Sequence, residues 1–331
     1  MSAPTTAPTT AELLSGMRVV ALPMRVRFRG ISTREVALLE GPAGWGEFGP
    51  FTEYGPAEAA RWLSAAIEAA WEGWPAPLRE SIPVNATVPA VRPDQVAGIL
   101  ERFPGARTVK VKVAEPGQTL TADVDRVAAV RDWLGPSGLI RVDANGGWSV
   151  EQAREALRRL RGYALDYAEQ PCASVEELAL LRADLTRHGI HVRIAADESI
   201  RKAEDPMRVR DLEAADVIVV KVAPLGGVRS ALRIVEECGL PAVVSSALDT
   251  SVGISAGVAL AAALPELSYA CGLGTVALLD GDVTDAPLLA VDGRLPVRRV
   301  APDPELLDRF AVGADRYGWW AERLTASAAY L

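Results

Sequence analysis

From residue 82 onward the chain alternates short apolar runs with amphipathic helical stretches, and this alternation limits its possible folds more than any other feature. The runs read as strands at 84–88, 108–113, 139–143, 165–169, 192–197, 217–221, 242–246 and 267–270. Helical periodicity lies between them, at 119–134, 150–161, 175–187, 227–238 and 251–264. Strands separated by helix-length connections must pair in parallel, because a tight turn can join only antiparallel neighbours. Eight such strands with seven crossovers predict an α/β architecture, a modified TIM barrel of (β/α)7β form, rather than an open sheet.

The flanking segments follow a different pattern. MRVVALPMRVRF and TREVALLEG read as antiparallel strands, and GPAGWGEFGPF reads as a turn carrying Trp45, Glu47 and Phe48. Residues 56–74 have helical spacing with Ala59, Leu63, Ile67 and Trp71 on one face, so a small α+β unit precedes the barrel, with its tryptophans as core. After Asp280, PLLAVDGRLPV suggests strands that return to that unit, and residues 304–330 read as helical. MSAPTTAPTT lacks both a cationic region and an apolar core, so it is expected to be a disordered tail rather than a signal peptide.

Composition removes several classes of function. At 331 residues the chain exceeds what one core usually supports. A net charge of −8 with no basic tract argues against nucleic acid, so an anionic substrate would need a local cationic site. Cys172, Cys238 and Cys271 are odd in number and widely spaced, which disfavours a disulfide framework and suits a reducing, cytoplasmic compartment. The longest apolar run, residues 252–264, contains glycines and a serine and is too short to cross a bilayer.

Strand 108–113 poses a specific problem. Lys110 and Lys112 alternate with Val109, Val111 and Val113, so both lysines share one face. Either that face is a solvated edge or it enters a polar cavity. The neighbouring strand ends favour the cavity. Asp143, Glu169 and Asp197 end three successive strands, spaced by about one β/α unit, and Lys221 ends the next. Barrel active sites lie at these ends, and three converging carboxylates repel one another unless a cation sits between them. Oxygen donors alone suit Mg²⁺, with Mn²⁺ also possible. His188 and His191 lie away from any strand end, so zinc has little support.

Asn145 and Glu198 are candidates for orienting the ligands, with loop capping as the alternative. Arg141 shares the face of Asp143 and reads as structural, and Ser149 reads as a helix N-cap. A dication beside a substrate carboxylate can stabilise an enediolate, which makes the adjacent carbon acidic. Lys112, with Lys110 next to it, stands where a base is needed, and Lys221 should approach the opposite face. A Schiff-base lysine is the rival chemistry, and the three carboxylates argue against it.

The set K-x-K (Lys110, Lys112), DAN, EQP, ADES and the strand-six lysine resembles the enolase superfamily, in its muconate-lactonising-enzyme-like subgroup. The resemblance implies an ene-diolate mechanism with lysine bases and Mg²⁺, a worked case in the general chemistry of such sites. It also implies a capping domain from both termini, residues 12–82 plus 283–331, over a barrel at 83–282, with 1–11 as a tail. By the same resemblance the GWGEFGPF turn would help contact substrate. FRGISTRE, GPAGWGEFGPFTEY, SSALDTSVGI and GLGTVALLDGDV are most similar to the branch that dehydrates 2-succinyl-6-hydroxy-2,4-cyclohexadiene-1-carboxylate for menaquinone synthesis. In that branch Lys112 would take the proton beside the ring carboxylate and return one to the leaving hydroxyl on the same face. Lys221 would stay an ammonium stacked on the ring. Ser245, Ser246, Gly272 and Gly274 would hold the succinyl carboxylate, or else serve as ordinary turn residues. Racemases of N-succinylamino acids and dipeptide epimerases use the same lysine pair and are the alternative.

Overall fold

The computed structural model describes residues 7–28, 30–201 and 206–331, so the first six residues of the expected tail lie outside the described residues. Helix α1 (Thr10–Ser15) opens on a capping box, with the Thr9 hydroxyl on the Glu12 amide and the Glu12 carboxylate on the Thr9 amide. Strand β1 (Met17–Phe28) pairs antiparallel with β2 (Ile31–Gly41), and β2 with β3 (Gly44–Phe48).

GPAGWGEFGPF is therefore mainly a strand. Its reversal is confined to 41–44, where Gly44 takes φ +128°. Helix α2 (Pro56–Ile67) packs directly on β3: a Cβ on Gly46 would lie 2.1 Å from the Ala66 carbonyl oxygen. The helix continues as a π-turn over Glu68–Glu72. Trp62 is core, whereas Trp71 and Trp74 are partly buried against it.

Strand β4 (Ser81–Pro83) leads into the barrel. Seven parallel strands follow in spatial order: β5 (Ala86–Val88), β6 (Thr108–Lys112), β7 (Leu139–Asp143), β8 (Leu165–Glu169), β9 (Ile194–Ala196), β10 (Val217–Val220) and β11 (Ala242–Val244). The eighth strand differs from the expectation at 267–270. Cys271 bridges Val84 on one edge and Gly272 bridges Ser245 on the other, so the ring closes through two residues. Pro265 before this run and glycines at 272 and 274 after it leave little that can pair as a strand.

The crossover helices are α3 (Val96–Leu100), α4 (Leu120–Leu134), α5 (Val150–Leu160), α6 (Val175–Arg187), α7 (Glu198–Arg201), α8 (Met207–Asp211), α9 (Val228–Cys238) and α10 (Ser251–Ala263). Thr119, Ser149, Ser174 and Thr250 each cap their helix through the side chain. Helix α10 is buried along nearly its whole length. An apolar helix of this kind needs neighbours on every side, which the barrel and the cap sheet supply.

Beyond the barrel, only β12 (Arg294–Pro296) forms from the stretch expected to return as strands, pairing with β4. Helices α11 (Pro304–Arg309) and α12 (Ala314–Ala328) follow, and Trp320 and Leu324 of α12 join the core. Among the described residues no helix is long and apolar enough to cross a membrane. The three cysteines are buried and unpaired with one another.

Arg141 is structural, as its sequence position suggests. Its guanidinium is fully buried inside the barrel, donating to Asp166 at 2.8 Å, Asn85 at 3.3 Å and the Ala270 carbonyl at 2.6 Å. The rings of Tyr167 and Tyr269 flank it at 4.6 and 5.6 Å.

Candidate active site

Strand register decides what the lysines face. β6 pairs with β7 so that Lys112 lies beside Asp143 and Lys110 beside Arg141, and β7 pairs with β8 so that Asp143 lies beside Glu169. Both lysines therefore enter the barrel rather than solvent, at 7% and 9% exposure, while Asp143, Glu169 and Asp197 are each 1% exposed. Lys112 Nζ donates to Asp143 Oδ2 and Asn145 Oδ1, both at 2.5 Å. Lys110 Nζ donates to the two Glu169 oxygens at 2.9 and 3.1 Å and lies 3.4 Å from Asp143 Oδ2. Lys221 Nζ donates to Asp197 Oδ2 at 2.5 Å.

Six charges packed this closely shift one another's equilibria. Burial opposes ionisation of Asp143, but Lys112 and Lys110 outweigh it and hold this carboxyl far below the usual range. Burial, then the Asp143 charge, pushes Glu169 up to about 7 against the pull of Lys110. Lys110 is raised well above an ordinary lysine: burial would lower it, but Glu169 and Asp143 prevail. Lys110 is thus a fixed cation between two acids.

Asn145 sits at φ +46°; its amide donates to Asp143 Oδ1 at 3.1 Å and its Nδ2 to Glu198 Oε1 at 3.3 Å, which ties the end of β7 to the start of α7. Gln170 has a similar part that sequence reasoning missed, although it stands within the EQP tripeptide. Fully buried at φ +37°, it accepts through Oε1 from the amides of Asp197 (2.9 Å) and Ser199 (3.2 Å). Its Nε2 donates to Cys172 O and Ser199 Oγ. It ties the end of β8 to the end of β9.

A chamber of about 30 Å³ lies among Lys110, Lys112, Asp143 and Lys221, walled by Phe28, Thr87, Leu248 and Thr275. It adjoins an outer cleft of about 790 Å³ that shares Phe28, Lys112 and Asn145. Phe28, at the far end of β1, holds its ring 5.4 Å from Lys112 Nζ. It opens the FRGISTRE stretch, but nothing local placed its ring in the chamber, because only the cap's docking brings it there.

Ser245, Ser246 and Gly272 line the chamber. Ser246 Oγ donates to Gly272 O at 2.8 Å and pairs with Thr275 Oγ1 at 2.9 Å. Gly272 has no room for a side chain, since a Cβ would lie 2.6 Å from Ser245 Oγ. Gly274 instead lies against the Asn85 carbonyl and Phe103, outside the chamber wall.

The GWGEFGPF segment also stays outside that wall. Its Glu47 is buried and accepts from the N-terminal end of α10 instead. Burial, then the nearby Asp249, raises Glu47 to about 8, against the effect of Arg34 and the Thr250 bond. A carboxyl raised in the folded state favours folding while protonated. That contribution is whole below the ordinary value of 4.5 and is lost as pH climbs through about 8. Thermal melts should therefore show wild-type Tm falling across this window more steeply than Glu47→Gln. Parallel profiles would contradict the assignment.

The donor set suits a hard divalent ion: three buried carboxylates, no nitrogen or sulfur, and mutual repulsion that a dication would relieve. As the side chains lie, no group of three acidic, histidine or cysteine residues among the described residues encloses a single point closely enough to hold an ion, and the lysine ammoniums take carboxylate oxygens instead.

Comparison with known proteins agrees with this architecture. Residues 95–302 match the family described as Enolase C-terminal domain-like, and residues 19–70 match Enolase N-terminal domain-like. The chain belongs to the enolase superfamily.

Among curated members, it is 59% identical over 313 residues to o-succinylbenzoate synthase of Thermobifida fusca (strain YX), covering 95% of this chain and 96% of that one. It is 57% identical over 325 residues to o-succinylbenzoate synthase of Mycolicibacterium smegmatis, covering 98% of each. Among solved superfamily structures, muconate lactonizing enzyme from Pseudomonas fluorescens superposes with a TM-score of 0.76 at 22% identity, covering 89% of this chain and 98% of that one. N-succinyl Arg/Lys racemase from Bacillus cereus gives 0.74 at 20% identity, with 90% and 97% covered. At such identities these two structures speak to the fold alone.

Proposed function

We propose that the chain is an o-succinylbenzoate synthase, a hydro-lyase converting 2-succinyl-6-hydroxy-2,4-cyclohexadiene-1-carboxylate to o-succinylbenzoate in menaquinone biosynthesis. Identity to curated synthases over nearly the full length carries this reading. The site geometry alone fits any proton abstraction beside a carboxylate, because two amines and three acids define that chemistry without defining the rest of the substrate.

In this reading Lys112 removes the proton beside the ring carboxylate, leaving an enediolate. The same nitrogen then delivers a proton to the departing hydroxyl, which makes the elimination syn and the new ring aromatic. Asp143 and Asn145, both bonded to Lys112 Nζ, keep that nitrogen on one face of the ring, where it serves the acidic carbon first and the leaving oxygen second. Lys221, held by Asp197, stays an ammonium against the opposite face. Lys110 stays charged and keeps Glu169 and Asp143 in place. Asp143, Glu169 and Asp197 would hold Mg²⁺, or Mn²⁺, which supplies positive charge that makes the carbon beside a carboxylate acidic. Asn145 and Glu198 orient those ligands, and Ser245, Ser246 and the backbone near Gly272 receive the succinyl carboxylate. The chain divides into a tail expected at 1–11, whose end overlaps the start of α1, a cap at 12–82 with 283–331, and a barrel at 83–282, and it acts in a reducing cytoplasm on a small carboxylate.

Ultraviolet assay of purified protein with the cyclohexadiene substrate tests the reading. Formation of o-succinylbenzoate supports it, whereas absent turnover together with deuterium exchange into N-succinylamino acids would replace it with a racemase. Lys221→Ala should fold normally by circular dichroism yet turn over about 10²- to 10⁴-fold more slowly, the usual scale for losing one such group. A loss below tenfold would remove Lys221 from the reacting face.

A further inference from the structure

The loop after β11 carries Ser245, Ser246 and Leu248 into the chamber wall before turning into α10. Leu248 takes φ +61°, a left-handed conformation that a residue with a branched side chain adopts only when its surroundings enforce it. Its side chain is 2% exposed and walls the chamber together with Phe28 and Lys112.

Two cap residues grip this stretch from behind. Arg34 on β2, itself buried, donates from Nε to the Leu248 carbonyl at 3.0 Å and from a terminal nitrogen to the Gly49 carbonyl. The Phe51 ring lies 4.7 Å from its guanidinium. Glu47 on β3 accepts through Oε2 from the Thr250 amide (3.1 Å), the Thr250 hydroxyl (2.6 Å) and the Gly253 amide (3.1 Å). Gly253 leaves the space for this approach: a Cβ there would stand 2.7 Å from Asp249 Cβ and 2.9 Å from the Glu47 carboxyl. Neither Arg34 nor Glu47 lines the chamber, although Glu47 borders a separate void of about 20 Å³ whose wall also includes Lys221 and Ser245.

We propose that Arg34 and Glu47 are positioning residues of the active site, clasping the backbone of 248–253 so that Leu248 keeps its left-handed turn and presents the apolar wall and the two serines to substrate. Seating of the cap thereby sets the binding side of the reaction. Proton transfer is insulated from it, because Lys112 and Lys221 stand on β6 and at the end of β10 and are fixed by Asp143, Asn145 and Asp197. The inference rests on the synthase reading, whose substrate is the probe.

The test compares wild type with Arg34→Met, Glu47→Ala, Glu47→Gln and Leu248→Gly by steady-state kinetics, Mg²⁺ calorimetry and thermal melts. Arg34→Met and Glu47→Ala should raise KM about tenfold or more while kcat stays within about threefold, the signature of lost binding rather than lost chemistry. Mg²⁺ affinity should not change. Glu47→Gln should restore wild-type KM, since its amide oxygen can accept from Thr250 and Gly253. If the first two variants lower Tm but keep wild-type KM, or lose kcat with KM intact, the clasp is merely structural and the proposal is overturned. If neither folds, Leu248→Gly decides. It keeps both clasp residues and tolerates the left-handed turn, so a raised KM supports the wall and an unchanged KM overturns it. A wild type that yields no o-succinylbenzoate removes the functional reading and the clasp with it, whereas an active wild type with unaltered variants removes the clasp alone.

Discussion

Lys112→Ala is expected to abolish dehydration, with a loss of about 10⁴-fold or more, because one nitrogen performs both proton transfers. Nothing else in the chamber can replace it. Lys110 is pinned between Glu169 and Asp143 and raised well above an ordinary lysine, so it stays protonated near neutrality and cannot accept the substrate proton. Lys221 stands on another strand and is bound to Asp197. Substrate and product should still bind, since Ser245, Ser246 and Leu248 are untouched. The measurement pairs turnover with calorimetric titration of o-succinylbenzoate into the variant. A variant that binds product and retains more than about a hundredth of wild-type activity would refute Lys112 as the base.

The second large effect concerns the acids. Asp143→Asn, Glu169→Gln and Asp197→Asn should each weaken Mg²⁺ binding by about a hundredfold or more, since each removes one of three charged oxygen donors. The three should not behave alike otherwise. Asp143→Asn takes from Lys112 and Lys110 a carboxylate that both contact, so it should also disturb the base. Glu169→Gln removes a charge whose burial and proximity to Asp143 already raise it to about 7, whereas Lys112 and Lys110 hold Asp143 ionised. Its cost in stability should therefore be smaller than that of Asp143→Asn. Calorimetry showing unchanged Mg²⁺ affinity in all three variants would cancel the ligand assignment.

What could be foreseen from the sequence depended on how local the governing interaction is. Period-two alternation placed Lys110 and Lys112 on one face, but not which face, and only the register with Asp143 shows that they point inward. Asp143, Glu169, Asp197 and Lys221 were legible because each ends or closely follows a short apolar run, and such ends converge in a parallel barrel. The eighth strand was misplaced because its pairing comes from Val84 and Ser245, distant in sequence, rather than from its own apolar content. GWGEF read as a turn because its glycines also mark turns, whereas here Gly46 serves close packing under α2. The contacts of Glu47, Arg34 and Phe28 span large sequence separations across the cap–barrel junction, so no local pattern could announce them.

The most direct test is a crystal structure of the protein with Mg²⁺ and o-succinylbenzoate bound. The expected result is one ion shared by Asp143, Glu169 and Asp197, with Lys112 and Lys221 on opposite faces of the aromatic ring. Carboxylates splayed away from a common ion, or a Lys112 amine turned from the ring, would contradict it.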